Sequence, residues 1–283
     1  MKNMLEHLKI GADGIYGYNF SSESQKNEIE FREKVNSNIV KGDLLDALSK
    51  HHSIPVMDRE VRLFLNDIPI NGVVIDAGGC WGWHWRGLDI IRPDVTVYIV
   101  DFIRSNLHYA KKMLKHLIGK NIHLIHGDIT ALKLPDNSFD GYWSVQVLQH
   151  VPHYQDAVDE AFRILKHNAV FSNYSFNNQI AIKWIYKLFG KNYHETGVVN
   201  VEGGFHLDRA SKKQLFFVES RFNSRVRIRF SEVLFSPELG ISFMGKTRSL
   251  LGIVDSFLSN NKGLFSSIAR QQSYHVRANK FRK

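Results

Sequence analysis

The chain has 283 residues, 43% hydrophobic and 23% charged, ordinary proportions for a soluble globular protein with a sizeable core. A single cysteine, Cys80, excludes an internal disulfide and a cysteine-based zinc cluster. The net charge of +9 is uneven: residues 241–283 hold eight Lys/Arg against Asp255 alone, giving +7 there and +2 in the preceding 240 residues.

The opening residues "MKNMLEHLKIGADG" lack the apolar run of a signal peptide, and no stretch approaches the roughly 18 uninterrupted apolar residues of a membrane span. A cytoplasmic protein is therefore expected, with the N-x-S triplets at Asn19 and Asn173 as chance occurrences. Residues 1–20 have no clear period and read as irregular. Ser22 and Gln25 have capping-box spacing, and Glu28 to Val35 reads as a helix. "GDLLDALSKHH" (Gly42–His52) and "DREVRLFLNDI" (Asp58–Ile68) also have helical apolar spacing. A mostly helical N-terminal cap over residues 1–70 is expected.

From residue 72 short apolar runs alternate with helices. Strands are predicted at Val73–Ile75, Thr96–Val100, Ile122–Ile125, Gly141–Val145 and Ala169–Tyr174, with helices near Arg104–Ile118 and Gln155–Leu165. This is the pattern of βαβ units, so residues 71–283 are expected to form a doubly wound α/β domain on a mostly parallel, seven-stranded sheet. A helix at Ser211–Ser220, a strand at Arg225–Phe230 and a final edge strand at Ser273–Lys280 would complete it. Between those strands an insertion over about residues 231–272 holds two short amphipathic pieces, "RSLLGIVDSFLS" and "GLFSSIAR".

Chemistry concentrates where strands end. "GVVIDAGGCWGWHW" (Gly72–Trp85) closes the first strand with Asp76, the glycines Gly78, Gly79 and Gly82, and three tryptophans. The glycines let the backbone approach a ligand. The dinucleotide pattern Gly-x-Gly-x-x-Gly is absent, and Asp76 suits a ligand with positive charge or amine donors better than a pyrophosphate. This argues against a nicotinamide dehydrogenase. Asp101, ending the second strand, can accept from ribose hydroxyls, and Asp128 in "HGD" from an exocyclic amine. An acid at three successive strand ends is more specific than any glycine pattern alone.

These segments resemble the class I S-adenosylmethionine-dependent methyltransferases, particularly their small-molecule branch, over about Val73 to Tyr174. "VVIDAGGCWG" is similar to the family's first motif, "YIVDFIRSNLHYAKK" to its ribose-binding segment, and "HGDITALKLPDNSFD" to its adenine-binding segment. The resemblance implies S-adenosyl-L-methionine as cofactor. It puts Asp76, Gly78 and Gly82 at the methionine moiety, with Gly79 in the same loop. It puts Asp101 at the ribose, Phe102 beside adenine, and Asp128 and Ile129 at its edge. Cys80 departs from the middle glycine, and "KHNAV" (Lys166–Val170) from the usual Pro-Gly-Gly turn. The tryptophans are expected to pack a helix on the sheet, with one as a candidate for the pocket wall.

Hydroxyl acceptors need a general base, and His150 and His153 follow the fourth strand, where acceptor and methyl group should meet. His194, Glu195, His206 and Asp208 are further candidates for the acceptor pocket. No metal site is expected. The expected substrate is a small polar metabolite, a sugar or nucleotide-activated sugar, with Arg225, Arg227 and Arg229 available for phosphates. The basic C-terminal region keeps RNA methylation and peripheral contact with an anionic membrane open. A non-catalytic relative acting by binding alone is the remaining alternative. The oligomeric state is not legible in the sequence.

Overall fold

The computed structural model describes residues 4–18, 29, 30, 33, 43–199, 205–259 and 264–281. The helix expected at Glu28–Val35 lies largely outside them. Strands β1 (Lys9–Ile10) and β2 (Tyr16–Gly17) come first, then helices α1 (Leu44–Ser49) and α2 (Ile54–Asn66). Strand β3 (Val73–Ala77) and the short helix α3 (Leu88–Ile91) lead to β4 (Thr96–Asp101), α4 (Arg104–Met113), β5 (Ile122–His126) and β6 (Phe139–Val145). Helix α5 (Tyr154–Ile164) runs straight into β7 (Leu165–Phe176), with no turn between them. Lys166 and Asn168 already lie in the strand, Lys166 paired with Asp140 at 2.8 Å and Asn168 at φ +61°. The missing Pro-Gly-Gly turn is thus replaced by a direct junction.

After β7 come α6 (Ile180–Leu188), the small hairpin β8 (Val198–Val199) and β9 (Phe205–His206), and α7 (Lys212–Phe222). Ser211 and Gln214 cap α7 reciprocally, which fixes its start where the sequence predicts it. Strand β10 (Arg227–Ser231), α8 (Leu250–Leu258), α9 (Leu264–Ile268) and β11 (Gln271–Arg277) complete the chain.

The main sheet has the order β1-β2-β5-β4-β3-β6-β7-β11-β10. Strands β3 to β7 pair in parallel, and β11 lies antiparallel between β7 and β10. Two sequence expectations need correction. Residues 9–17 are not irregular: β1 and β2 extend the sheet beyond β5, so seven core strands become nine. The last strand is internal, and β10 is the edge. The β11 residues "QQSYHVR" are buried except Arg277, because β7 and β10 flank the strand on both sides.

Neighbouring strand residues point to opposite faces. Ile75, Val100 and Phe171 face one layer with α5 and α7, while Val74, Val97 and Trp143 face the other with α2 and α4. Helix propensity in these short segments is a weak force; burial of their apolar stripes on the sheet holds them. The described part of the insertion between β10 and β11 packs on itself and against α2. Asp255 accepts from the backbone N–H groups of Val233, Leu234 and Phe235 at 2.8, 3.1 and 3.2 Å, and Arg59 of α2 sits 5.4 Å from the Phe257 ring. Described residues of the basic C-terminal segment are tied to the fold: Arg270 pairs with Glu238 at 2.6 Å, and Arg277 with Asp67 at 3.0 Å. Among the described residues, no helix is long and apolar enough to cross a membrane.

Candidate active site

The strand order reverses between β3 and β6, and the crevice beyond the carboxyl ends of the strands opens there. Gly78 and Gly79 both donate to the Val100 carbonyl, at 2.8 and 3.2 Å, which folds the loop across the end of β4. Gly78 has φ +72°, and a Cβ there would meet both Val147 methyls at 2.4 Å, so only glycine fits. Cys80 also adopts a left-handed conformation, φ +50°. Its N–H donates to Asp101 Oδ2 at 2.9 Å, which holds the strained backbone in place. We expect Cys80→Gly to leave the fold intact and change stability by less than about 1 kcal/mol. Cys80→Val, β-branched at positive φ, should cost about 1–2 kcal/mol more. Thermal unfolding of the two variants decides this.

Asp101 is 3% exposed and forms the centre of the site. Oδ1 accepts from the Ile103 N–H at 2.8 Å and the Asn106 amide at 3.1 Å, and Oδ2 from Cys80. A carboxylate offers about four acceptor positions. Asp128 accepts with Oδ1 from both the N–H and the hydroxyl of Thr130, at 2.8 Å each, an Asx turn that fixes its rotamer. Tyr18 donates to the Asp128 carbonyl at 2.9 Å, so the N-terminal strand pair braces this loop.

Asp76 corrects the expectation of contact with a ligand. It is 1% exposed, lies under the loop rather than in the cavity wall, and accepts from the Trp85 indole N–H at 2.7 Å. A Cβ on Gly79 would meet its Oδ2 at 2.4 Å, so Gly79 is there to cover this carboxyl; neither it nor Gly82 lines the cavity. Burial, with the nearby Asp101 charge, pushes the Asp76 carboxyl up to about 7 against the downward pull of the Trp85 hydrogen bond. Its folded pKa thus exceeds the unfolded value, and its contribution to stability is complete below about pH 4 and is lost as pH rises to about 7. Asp76→Asn keeps an acceptor for Trp85 and removes the ionisation. We expect it to exceed the wild type in stability by about 1–4 kcal/mol at pH 8, with the gap falling to about a third of that near pH 5 and closing below about pH 4. Urea midpoints at the two pH values test this.

The tryptophans divide. Trp83–Trp85 form a 3-10 turn rather than an α-helix. Trp85 is fully buried and packs edge-on against Trp143, whereas Trp81 lines the cavity and packs on Tyr109.

The cavity encloses about 610 Å³, within the roughly 300–1,000 Å³ usual for small-molecule sites. One half is walled by Gly78, Trp81, Asp101, Phe102, Asp128 and Ile129. The other half is walled by His150, Phe176, Tyr186, His194, Arg209 and Arg270, among others. His150 ends a 3-10 turn after β6, and its Nδ1 lies 2.7 Å from the His206 carbonyl, so the donor proton is assigned to Nδ1. Nε2 then carries a lone pair, 3.2 Å from the Gln149 amide nitrogen.

His153 does not join it. It is the N-terminal residue before α5, exposed, and borders a separate depression with Asp156, Glu195 and Asp208. Glu195 pairs with Lys183 at 2.6 Å, and Asp208 accepts from the Gly197 N–H at 3.1 Å, both outside the cavity wall. His206 contributes its carbonyl rather than its ring. Arg225 and Arg227 are exposed, and Arg229 lies 3.7 Å from the buried Glu60; none lines the cavity, because β10 is the sheet edge. The sequence reading missed Asn106, Tyr186, Arg209 and Arg270. Asn106 had a local signal, five positions after Asp101 in the first turns of α4; the others are joined only by the fold.

Residues 75–172 match the methyltransferase domain family. The chain is 33% identical over 88 residues to a demethylmenaquinone methyltransferase of Listeria welshimeri, 31% of this chain and 37% of that protein. It is 37% identical over 94 residues to the Staphylococcus haemolyticus protein of the same name, 32% of this chain and 38% of that protein. The chain therefore spans well under half of these relatives. Among solved structures, the [4+2]-cyclase SpnF superposes with a TM-score of 0.55 at 13% identity, over 78% of this chain and 80% of its own. A SAM-dependent methyltransferase from Aquifex aeolicus gives 0.51 at 14% identity, over 84% of this chain and all of that one. At these identities the likeness is one of fold.

Proposed function

Since residues 75–172 belong to the class I S-adenosylmethionine-dependent methyltransferase family, we propose that this chain is an enzyme that methylates a small polar metabolite. The acceptor class proposed is a sugar or nucleotide-activated sugar, methylated on oxygen or nitrogen. The observation that carries this reading is one cavity joining the Gly78 loop, Asp101 and Asp128 to His150. S-adenosyl-L-methionine, when bound, supplies an electrophilic methyl group on a sulfonium.

The residues present fit that cofactor. Asp101 in the cavity wall stands where the ribose hydroxyls would be met, Asp128 where the adenine amine would be, and Phe102 and Ile129 form apolar walls beside the base. Gly78 lines the cavity where the methionine end would lie, and its missing Cβ lets Val147 pack against the loop. In the acceptor half, His150 Nε2 takes the proton of an attacking hydroxyl while Nδ1–H stays anchored on the His206 carbonyl. Asn192 and His194 offer partners for hydroxyls, and Phe176 and Phe205 offer faces for a ring.

A second reading, an apolar aromatic acceptor, draws on the names of the relatives and on Val151, Val199 and Leu207 in the same wall. Calorimetric titration with S-adenosylhomocysteine, with NADH as comparison, tests the cofactor assignment. Labelled-methyl transfer to panels of sugars, nucleotide sugars and reduced naphthoquinones separates the two acceptor classes. Absence of S-adenosylhomocysteine binding would return the chain to a non-catalytic binding role.

A further inference from the structure

We propose that the acceptor half of the cavity contains a subsite for a carboxylate or phosphate group of the ligand, built on Arg209. It deepens the methyl-transfer reading by naming a charge that the acceptor carries.

Arg209 is 5% exposed. Its Nε donates to the His194 carbonyl at 2.8 Å, Nη1 to the Asn177 carbonyl at 2.9 Å and Nη2 to the Tyr186 hydroxyl at 3.2 Å. Its guanidinium carbon lies 4.4 Å from the Tyr193 ring centre and 5.1 Å from those of Phe176 and Tyr186. Every one of these partners is neutral. Among the described residues, no carboxylate lies within ion-pair distance of this guanidinium. The carboxylates nearby already hold cations: Glu238 is paired with Arg270 at 2.6 Å, and Glu195 with Lys183 at 2.6 Å.

A guanidinium has five N–H groups, and three are used here, so two remain for a ligand. Carbonyls, a phenol and aromatic faces fix its fork in one orientation without neutralising it. Such a group is pre-organised for a planar or tetrahedral oxyanion.

The charges at the wall point the same way. Arg209 and Arg270 formally balance Glu232 and Glu238, yet Glu232 is wholly buried and absent from the wall. With Lys191 added, this half carries a formal excess of one positive charge, and Arg209 is the buried cation in it that no carboxylate pairs among the described residues. The opposite half presents Asp101 and Asp128. An anionic acceptor is repelled from the acids and drawn to the arginines, which orients it along the cavity. The neutral polar and aromatic wall around His150 suits a hydroxylated ring attached to that anion.

Three probes of one ring size test the subsite: D-glucuronate, D-glucose 1-phosphate and D-glucose, each titrated calorimetrically into the full chain. The wild type should bind at least one of the anionic sugars tenfold or more tightly than glucose, and which one it prefers separates carboxylate from phosphate. Arg209→Gln should reduce that preference to threefold or less, and Arg209→Lys, which retains charge but not the fork, should fall between. S-adenosylhomocysteine affinity within twofold of wild type verifies that each variant is folded.

Should Arg209→Gln fail to fold, the lysine variant carries the comparison. A wild type that shows no anion preference, including one that binds none of the three sugars, overturns the subsite. So does a preference that survives substitution of Arg209. Loss of S-adenosylhomocysteine binding by the wild type with the anion preference intact would instead overturn methyl transfer and leave the subsite standing.

Discussion

Asp101→Ala is expected to weaken S-adenosylhomocysteine binding at least tenfold, about 1.4 kcal/mol, and up to about a thousandfold. The reason is that one carboxylate has two tasks. It would accept hydrogen bonds from the ribose, and it holds the glycine loop by accepting from the Cys80 N–H while Ile103 and Asn106 fix its other oxygen. Hydrogen bonds to a charged acceptor contribute about 1.5–3 kcal/mol each, so two lost ribose contacts fill the upper part of that range. The alanine variant also leaves the Cys80 amide without its acceptor in a left-handed conformation, so it should unfold at lower temperature.

Asp101→Asn separates the two tasks. With Oδ1 still serving Ile103 and Asn106, its amide nitrogen would face the Cys80 N–H, donor against donor. We expect stability close to that of the alanine variant and affinity between alanine and wild type, measured by calorimetry at a temperature where circular dichroism shows all three folded. Unchanged affinity in a folded Asp101→Ala would remove the ribose assignment and, with it, the main support for the cofactor.

The features of this site that could be read from the sequence are those whose geometry is local. Gly78 and Asp101 sit at strand ends, and the turn that follows each strand dictates what a side chain there can do. The orientation of Asp76 was not readable, because it is decided by an indole nine positions away that takes up its carboxylate inside the core. His150 and His153 look alike in the sequence. The left-handed Gln146, φ +56°, and the 3-10 turn after it bring His150 to the cavity, whereas His153 starts the next helix in solvent. The acceptor wall was the least legible, since Tyr186, Arg209, Glu238 and Arg270 come from four segments that meet only once β11 has inserted between β7 and β10. For the same reason the β1–β2 pair went unseen: two residues per strand carry no period.

His150→Gln should lower kcat for a hydroxyl acceptor by about a hundredfold or more while leaving S-adenosylhomocysteine affinity within twofold, as expected for loss of a general base. The wall position and the Nδ1 contact with the His206 carbonyl orient His150 in this cavity, and an attacking hydroxyl would take the place of the Gln149 amide at Nε2. Two controls distinguish this from a general disturbance. His153→Ala should retain kcat within twofold, because its ring lies outside the cavity wall. His206→Ala should largely retain it too, because the anchor for His150 is a main-chain carbonyl that survives the substitution. Full kcat in a folded His150→Gln would mean that the acceptor arrives already nucleophilic, as an amine or an activated carbon. In that case the charge at Arg209 and the ring faces of Phe176 and Phe205, rather than a base, would govern which molecule is methylated.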